Sequence, residues 1–143
     1  MSIEKIASVI ESKAGMLTKA SDNIWEYAEM AFREHKSMEE LCGILEAEGF
    51  EVIRLKVDSY GRINEKDLYS AVNSNTILIS MMLVNNEIGT IMPVQAAKRA
   101  VMMARSPALI HCDAVQAFGK MPVKPAALGV DLMTVSSHKI HGP

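Results

Sequence analysis

Three apolar stretches in the second half of the chain each end in polar residues of the kinds that bind ligands and transfer protons. These stretches are 76–84, 108–112 and 131–135. The polar residues that follow them carry amides, carboxylates, hydroxyls, an imidazole and an amine: Asn85, Asn86, Glu87, Asp113, Gln116, Ser136, Ser137, His138 and Lys139. Ligands of open α/β sheets bind beyond the carboxyl ends of the strands, so we expect these groups to converge on one crevice.

Each of these residues also has a simpler interpretation. Asp113 and Asn86 could merely cap loops, and Lys139 could be a solvated surface lysine. For any single residue the simpler interpretation is the better one. Three consecutive strands that end in this way favour a binding site.

The elements that must position these residues alternate between strand and helix patterns from about residue 55 onwards. The stretch 76–84 is almost wholly apolar, as expected for a strand covered on both faces of a parallel sheet. Helices are predicted from Asn64 through Val72, from Pro93 onwards and around 125–128. This order predicts an α/β fold with right-handed crossovers and a doubly wound parallel sheet.

Residues 1–50 have a helical pattern instead. Ile3, Ile6, Ile10, Ala14 and Leu17 recur at three- and four-residue spacing, which places them on one helix face. A further helix is predicted to begin at a capping box and to end before a glycine, with the box formed by Ser37 and Glu40 and the glycine being Gly49. Short strands are expected over 51–55 and 55–58, with a turn at Tyr60-Gly61.

Composition excludes several classes of protein. The chain has 143 residues, room for one ordinary domain, and a net charge of −2, which gives no footprint for nucleic acid or an anionic membrane. No apolar run approaches the length of a membrane span, and the first residues lack the order of a signal peptide. Cys42 and Cys112 are far apart and are expected to be reduced thiols, so we expect a cytoplasmic protein.

Three motifs together resemble a known family. They are Val84–Thr90 (VNNEIGT), His111–Gln116 (HCDAVQ) and Ser136–Pro143 (SSHKIHGP). In this order and spacing they resemble class V aminotransferases, and among them the cysteine desulfurases related to those that serve nitrogenase and iron–sulfur cluster assembly. The resemblance covers about residues 54–143.

This resemblance implies part of the large domain of a fold type I transferase that depends on pyridoxal 5'-phosphate. The reaction it implies converts L-cysteine to L-alanine and transfers the sulfur through an enzyme persulfide. It also implies a homodimer and an iron–sulfur scaffold or another sulfur acceptor protein as partner. Lys139 would carry the cofactor covalently and act in catalysis, and Asp113 would pair with the pyridine nitrogen. The phenolic oxygen and the phosphate would be contacted by Gln116 and Asn86, and by Ser136 and His138, respectively.

The resemblance also leaves parts of the family's site unmatched. A histidine that stacks on the cofactor ring and further phosphate ligands lie upstream in the family, and the persulfide-forming cysteine lies downstream of the lysine. Cys112 is not its equivalent, and both Cys112 and Cys42 are interpreted as structural. We therefore expect negligible desulfurase activity from this chain alone, and association through exposed apolar strands such as 77–84.

The segments 24–37 and 46–52 resemble instead the N-terminal helices of M20-type amidohydrolases. The metal ligands of that family lie beyond this region, and His35 is expected to face solvent, so no metal site is predicted. The domain hypothesis is therefore a helical segment over 1–52, followed by the desulfurase-like part over 53–143. A hybrid gene, a recombination product, an assembly artefact or a small fusion protein would each give such a chimera.

Other functions stay open at this point. A different class V activity, such as an aminotransferase or a selenocysteine lyase, would share the same motifs. An M20 amidohydrolase fragment is suggested by the N-terminal helices alone. A non-functional remnant or a small binding module would have no cofactor absorbance that depends on Lys139.

Overall fold

The computed structural model describes residues 2–30 and 33–142, which form two compact units, Met1–Val52 and Ile53–Pro143. The first unit contains helices α1 (Ile3–Tyr27) and α2 (His35–Ala47). The predicted boundary between the two parts of the chain coincides with the boundary between these units. None of the helices in the described ranges is long and apolar enough to cross a membrane.

Polar contacts hold α1 and α2 together as a hairpin. The Glu40 carboxylate accepts hydrogen bonds from Asn23 Nδ2 and from the Tyr27 hydroxyl, both at 2.9 Å, and Lys13 pairs with Glu48. Only Ala20 of the described residues of this unit is fully buried. The predicted apolar face of α1 is therefore exposed within this unit, with exposed fractions of 85% at Ile3 and 48% at Leu17.

The start of α2 differs from the predicted capping box. The helix begins at His35, so Ser37 lies inside its first turn. The Glu29 carboxylate accepts hydrogen bonds from the backbone amides of Lys36 and Ser37 at 2.8 Å, and from the Ser37 hydroxyl at 2.7 Å. The prediction was wrong because the upstream Glu29 carboxylate accepts from the Ser37 amide that Glu40 was expected to satisfy, while the Glu40 carboxylate accepts from Asn23 and Tyr27 instead.

The end of α2 confirms the prediction for Gly49. Gly49 has a φ of 90°, and its amide donates to the Glu46 carbonyl at 3.0 Å. The Phe50 amide donates to the Leu45 carbonyl, also at 3.0 Å. These two bonds form a Schellman motif, which requires a left-handed residue at this position and so favours glycine.

The second unit is an α/β structure around a parallel sheet of three strands, which confirms the predicted fold class. Its elements are α3 (Glu65–Ala71), β1 (Leu78–Met82), α4 (Val94–Ala104), β2 (Leu109–Asp113), α5 (Pro125–Leu128), β3 (Leu132–Thr134) and a 3-10 helix (Ser137–Ile140). The strand order is β1-β2-β3, and both pairs are parallel. Asn64 is the N-cap of α3, as predicted, with its side chain accepting from the Lys66 amide at 2.9 Å.

The segment before α3 contains less strand than expected. Residues 51–56 have no regular structure, and Val57 forms only an isolated antiparallel bridge with Ile63. The predicted turn is present, since the Gly61 amide donates to the Asp58 carbonyl at 2.9 Å and Gly61 has a φ of 72°. The expected strands did not form because no neighbouring strand among the described residues pairs with this segment.

One face of the sheet packs against α4, and the other is open. Ile79, Ile110 and Cys112 are buried, together with a row of small residues on α4 that lets the helix approach closely: Ala96, Ala97 and Ala100. The opposite face carries Leu78, Leu109 and Leu132, each about half exposed. Burial of β1 on both faces, as its apolar sequence predicts, is therefore not seen within the described residues.

Candidate functional site

The carboxyl ends of the three strands lie side by side, with Asp113 in the middle. The register pairs Met82 with Asp113 and Asp113 with Thr134. The Asp113 carbonyl accepts from the Leu83 amide at 2.8 Å, and the Thr134 carbonyl accepts from the Ala114 amide at 2.9 Å. The segments that carry the other predicted site residues therefore all leave the sheet at the carboxyl ends of the strands, where Asp113 also lies.

The Asp113 side chain is half-buried and fixed by its own turn. Its Oδ1 accepts a hydrogen bond from the Val115 amide at 2.9 Å. The turn that follows is anchored by Ala114 and Ala117, which are almost fully buried. No hydrogen bond within the described residues involves Oδ2 of Asp113, so this oxygen can accept a hydrogen bond from a ligand.

Gln116 lies on the same turn as Asp113 and is half-buried. Its Oε1 accepts from Lys120 Nζ at 3.1 Å. This contact involves a long exposed side chain and is easily replaced by a contact with a ligand. Gln116 therefore lies in the segment where it was predicted, but no hydrogen bond of the described residues joins it to Asp113 or Lys139.

The segment after β3 turns sharply into the 3-10 helix that contains Lys139. Ser136 precedes this helix, and its hydroxyl lies 2.7 Å from His138 Nδ1. The Ser136 carbonyl accepts from the Lys139 amide at 3.2 Å. The structure thus brings Ser136, His138 and Lys139 together within one helical turn, and the Lys139 side chain is exposed to solvent.

A close contact links this helix to the turn that follows Asp113. Gly119 has a φ of 77°, and a Cβ built on it would lie 2.7 Å from Cγ2 of Ile140. Ile140 therefore packs directly on the backbone of Gly119. This contact holds the residue next to Lys139 against the segment that carries Asp113 and Gln116.

Asn86 lies in a tight loop after β1. The loop is closed by the Asn85 amide, which donates to the Thr90 carbonyl at 2.9 Å. Asn85 Oδ1 accepts from the amides of Glu87 and Ile88, so Asn85 organises the loop. Asn86 is exposed, and its Nδ2 donates to Glu87 Oε1 at 2.9 Å. No hydrogen bond of the described residues connects this loop with Asp113 or Lys139.

Sequence reasoning missed a hydrogen-bonded row on the open face of the sheet. His111 Nδ1 lies 2.8 Å from the Ser80 hydroxyl, and His111 Nε2 lies 2.8 Å from the Thr134 hydroxyl. The available signal was the two-residue period of a strand, which puts His111 on the same face as Asp113. The partners on the neighbouring strands depend on the register, which the sequence does not specify.

The predicted structural role of Cys112 agrees with its surroundings. Its side chain is fully buried on the face that packs against helices. Burial raises the pKa of the Cys112 thiol, and the negative charge of Asp113 raises it further. A buried thiol that is held protonated is a poor nucleophile, so Cys112 does not fit the role of a persulfide-forming residue.

The donor set suits an anionic aromatic aldehyde better than a metal. No group of three or more potential metal ligands is found in the described ranges, whereas one carboxylate, one hydroxyl–imidazole pair and one exposed amine are present. Two grooves of the structure lie away from the strand ends: one of about 650 Å³ beside Tyr27 and Glu40, and one of about 390 Å³ beside Asp58 and Arg62. The candidate site lies at the carboxyl ends of the strands, where Asn86, His138 and Lys139 are exposed to solvent.

Comparison with known proteins identifies the family of this chain. The family model for class V aminotransferases (Aminotransferase class-V) matches residues 7–143. The chain belongs to this family. Class V aminotransferases depend on pyridoxal phosphate, so the cofactor implied by the motifs is the cofactor of the family.

The proteins similar to this chain include cysteine desulfurases. Cysteine desulfurase IscS of Pasteurella multocida is 48% identical over 110 residues, which are 77% of this chain and 27% of the relative. A solved NifS-like protein has a TM-score of 0.68 and 41% identity, over 76% of this chain and 30% of its own. A structure described as SspA in complex with cysteine has a TM-score of 0.66 and 33% identity, over 76% of this chain and 31% of its own. This chain spans about a quarter of the length of its curated relatives.

The comparisons give no support to the resemblance between the N-terminal helices and M20-type amidohydrolases. The class V family model begins at residue 7, so it includes almost all of the segment 1–52 to which that resemblance was assigned. The similarity in this segment rests on a helical pattern with many charged residues, which unrelated helices share. The chimera hypothesis is accordingly not carried further.

Proposed function

We propose that the second unit supplies the lysine-bearing half of a cysteine desulfurase site. The observation that carries this proposal is made at the carboxyl ends of the parallel strands. There Asp113 lies between the end of β1 and the segment Ser136–Lys139. Identities of 40–48% to cysteine desulfurases support the assignment within the family.

The residues present fit pyridoxal phosphate. The unoccupied Oδ2 of Asp113 suits a protonated ring nitrogen, and the Lys139 amine suits the aldehyde carbon. Ser136 and His138 suit the phosphate, because a hydroxyl and an imidazole can both donate to phosphate oxygens. Gln116 and Asn86 can each offer an amide N–H to the phenolic oxygen. When bound, the cofactor withdraws electrons from the α-carbon of an amino acid.

Each side chain then has a task that follows from its position. The Asp113 carboxylate is fixed by the Val115 amide and can accept a hydrogen bond from a protonated ring nitrogen, which orients the ring. The hydrogen bond between Ser136 and His138 orients the imidazole, so that Nε2 points away from the serine towards a ligand. Lys139 follows on the same turn, where its amine can take a proton from the α-carbon or return it.

We propose L-cysteine as the substrate and a protein that accepts sulfur, such as an iron–sulfur scaffold, as the partner. The substrate is supported by the desulfurase relatives and by the similar structure described as a complex with cysteine. A homodimer and a cytoplasmic location are part of the same proposal. Both cysteines are unpaired, as expected in a reducing compartment.

The test is uptake of pyridoxal phosphate by the purified chain, followed by its visible absorbance. Reduction with borohydride and mass spectrometry should place the cofactor on Lys139. Lys139→Ala should abolish this absorbance and the label. Lys124→Ala, which changes an exposed lysine in the same unit, should leave both unchanged.

Two results would contradict the proposal. One is the absence of any absorbance above that of free cofactor. The other is labelling spread over several lysines and retained in Lys139→Ala, because it would show non-specific reaction with surface amines. Added L-cysteine should change the absorbance of the bound cofactor, and L-alanine at equal concentration serves as the control for the thiol.

A further inference from the structure

Within the described residues, hydrogen bonds of the His111 side chain cross the open face of the sheet from β1 to β3. The His111 ring lies between two hydroxyls, with Nδ1 at 2.8 Å from Ser80 and Nε2 at 2.8 Å from Thr134. Ser80 is on β1, His111 on β2 and Thr134 on β3, so one side chain links all three strands. Around it this face is apolar, with Leu109 and Leu132 about half exposed.

The connection is next to Asp113. His111 and Asp113 are two residues apart on β2 and so share a face of the sheet. Ser80 is the direct register partner of His111, whereas Thr134 is the direct register partner of Asp113. The His111 ring therefore contacts its own register partner on β1 and, on β3, the register partner of Asp113.

The chemistry of the three groups allows every bond to be satisfied. A neutral imidazole has one N–H donor and one acceptor nitrogen, and a hydroxyl can donate or accept. One hydroxyl therefore donates to the ring while the other accepts from it. With both nitrogens engaged, the ring is held in one orientation and the three strands are held laterally at the end where the site lies.

We infer that His111 is a positioning residue for the cofactor site, which it serves by fixing Asp113 relative to the segment that follows Thr134. This inference rests on the proposed function and deepens it. Ser136 comes two residues after Thr134, and Lys139 follows within the same helical turn. Movement of β3 against β2 would therefore change the separation between the carboxylate and the amine that hold opposite ends of the same ring.

The test compares variants of His111 in the full chain. His111→Leu removes both hydrogen bonds, and His111→Gln keeps a donor and an acceptor on a side chain of similar reach. We expect His111→Leu to weaken binding of pyridoxal phosphate about tenfold and to change the absorbance spectrum of the bound cofactor. His111→Gln should restore most of both.

The two hydroxyls that bond to His111 can also be removed one at a time, as matched controls. Thr134→Val should weaken cofactor binding more than Ser80→Ala, because Thr134 is the register partner of Asp113. Equal binding and equal spectra in wild type and His111→Leu would overturn the inference. The same holds if His111→Leu and His111→Gln are equally impaired, because the hydrogen bonds would then not be the cause.

A second readout separates this inference from the proposed function. If the wild-type chain takes up no cofactor at Lys139, the proposed function fails. Amide hydrogen exchange of the same proteins then still tests whether His111 holds the three strands in place. The Leu83 and Ala114 amides, which bond across the strand ends, should exchange faster in His111→Leu and near the wild-type rate in His111→Gln. Unchanged exchange in His111→Leu would overturn the positioning role.

Discussion

Ile140 packs on the backbone of Gly119 so closely that a Cβ at residue 119 would lie 2.7 Å from Cγ2 of Ile140. Real Cβ contacts are essentially never this short, so either the glycine stays or one of the two segments moves. Ile140 follows Lys139 directly, and Gly119 lies in the turn that follows Asp113. The separation of the two halves of the candidate site is thus set in part by the absence of a side chain.

Gly119→Ala should destabilise the second unit by about 2 kcal/mol or more. A left-handed backbone costs a residue with a Cβ about 1–2 kcal/mol, and the contact with Ile140 adds to this. Gly89→Ala is the matched control, because Gly89 has a similar φ of 69° but open space where its Cβ would be. Hydrogen exchange of peptides from β1–β3 measures the change.

The double variant Gly119→Ala/Ile140→Ala separates the cost of the left-handed backbone from the cost of the steric contact with Ile140. Ile140→Ala removes Cγ2, so the double variant should recover the steric part of the loss and retain the backbone part. A loss in Gly119→Ala no larger than that in Gly89→Ala would show that the contact with Ile140 has no energetic consequence.

Ile110→Ala should cost about 2–5 kcal/mol of stability in the second unit. Ile110 is 1% exposed and packs within the cluster that α4 covers, so its truncation leaves a cavity. Leu109→Ala is the matched control, because the neighbouring Leu109 points to the open face and is 49% exposed. Similar losses in the two variants, measured by hydrogen exchange of β2 peptides, would mean that something covers the open face in solution.

The sequence predicted those elements of the second unit whose signals are local. The N-cap Asn64, the helix 125–128 and the apolar strands each depend on neighbouring residues, and the structure confirms them. The same logic failed at Ser37, because the competing acceptor, Glu29, lies on the preceding segment. The expected strand over 51–55 failed for a related reason, since pairing depends on a partner strand.

The candidate site shows the same division. The polar residues after each strand were recognisable, because they interrupt apolar runs at the point where parallel strands end. The cross-strand row through His111 was not, because it depends on which residues are opposite one another in the sheet. The close approach of Ile140 to Gly119 depends likewise on the packing of two turns that are distant in the sequence.

Asp131→Ala should destabilise the β2–β3 pair by about 1 kcal/mol, the contribution of a typical hydrogen bond. The Asp131 carboxylate accepts from the Ile110 amide at 2.8 Å, and the Asp131 amide donates to the Ile110 carbonyl at 2.9 Å. Asp131→Asn keeps an acceptor oxygen and should lose less. Hydrogen exchange at the Ile110 amide reports on this bond, and equal exchange rates in the two variants would contradict the prediction.

The α1–α2 hairpin should lose stability at both ends of the pH scale because of Glu40 and Tyr27. The hydrogen bond from Asn23, followed by that from Tyr27, lowers the pKa of Glu40 below its ordinary 4.5. The hydrogen bond to Glu40 raises the pKa of Tyr27 above its ordinary 10.0. A lowered carboxyl pKa gives stability that is present above pH 4.5 and is lost as the pH falls through the folded-state value. A raised tyrosine pKa gives stability that is present below pH 10.0 and is lost as the pH rises through the folded-state value.

Glu40→Gln tests the predicted losses of stability at acidic and at alkaline pH, because it removes the charge of residue 40 and keeps an acceptor oxygen. We expect a lower urea midpoint at neutral pH and a weaker dependence on pH on both sides than in wild type. Trp25 on α1, the single tryptophan of the chain, provides the fluorescence signal. Glu39→Gln is the matched control, because Glu39 is the exposed neighbour of Glu40 on the same helix. A pH profile of Glu40→Gln that coincides with that of Glu39→Gln would show that the bonds to Asn23 and Tyr27 do not stabilise the hairpin.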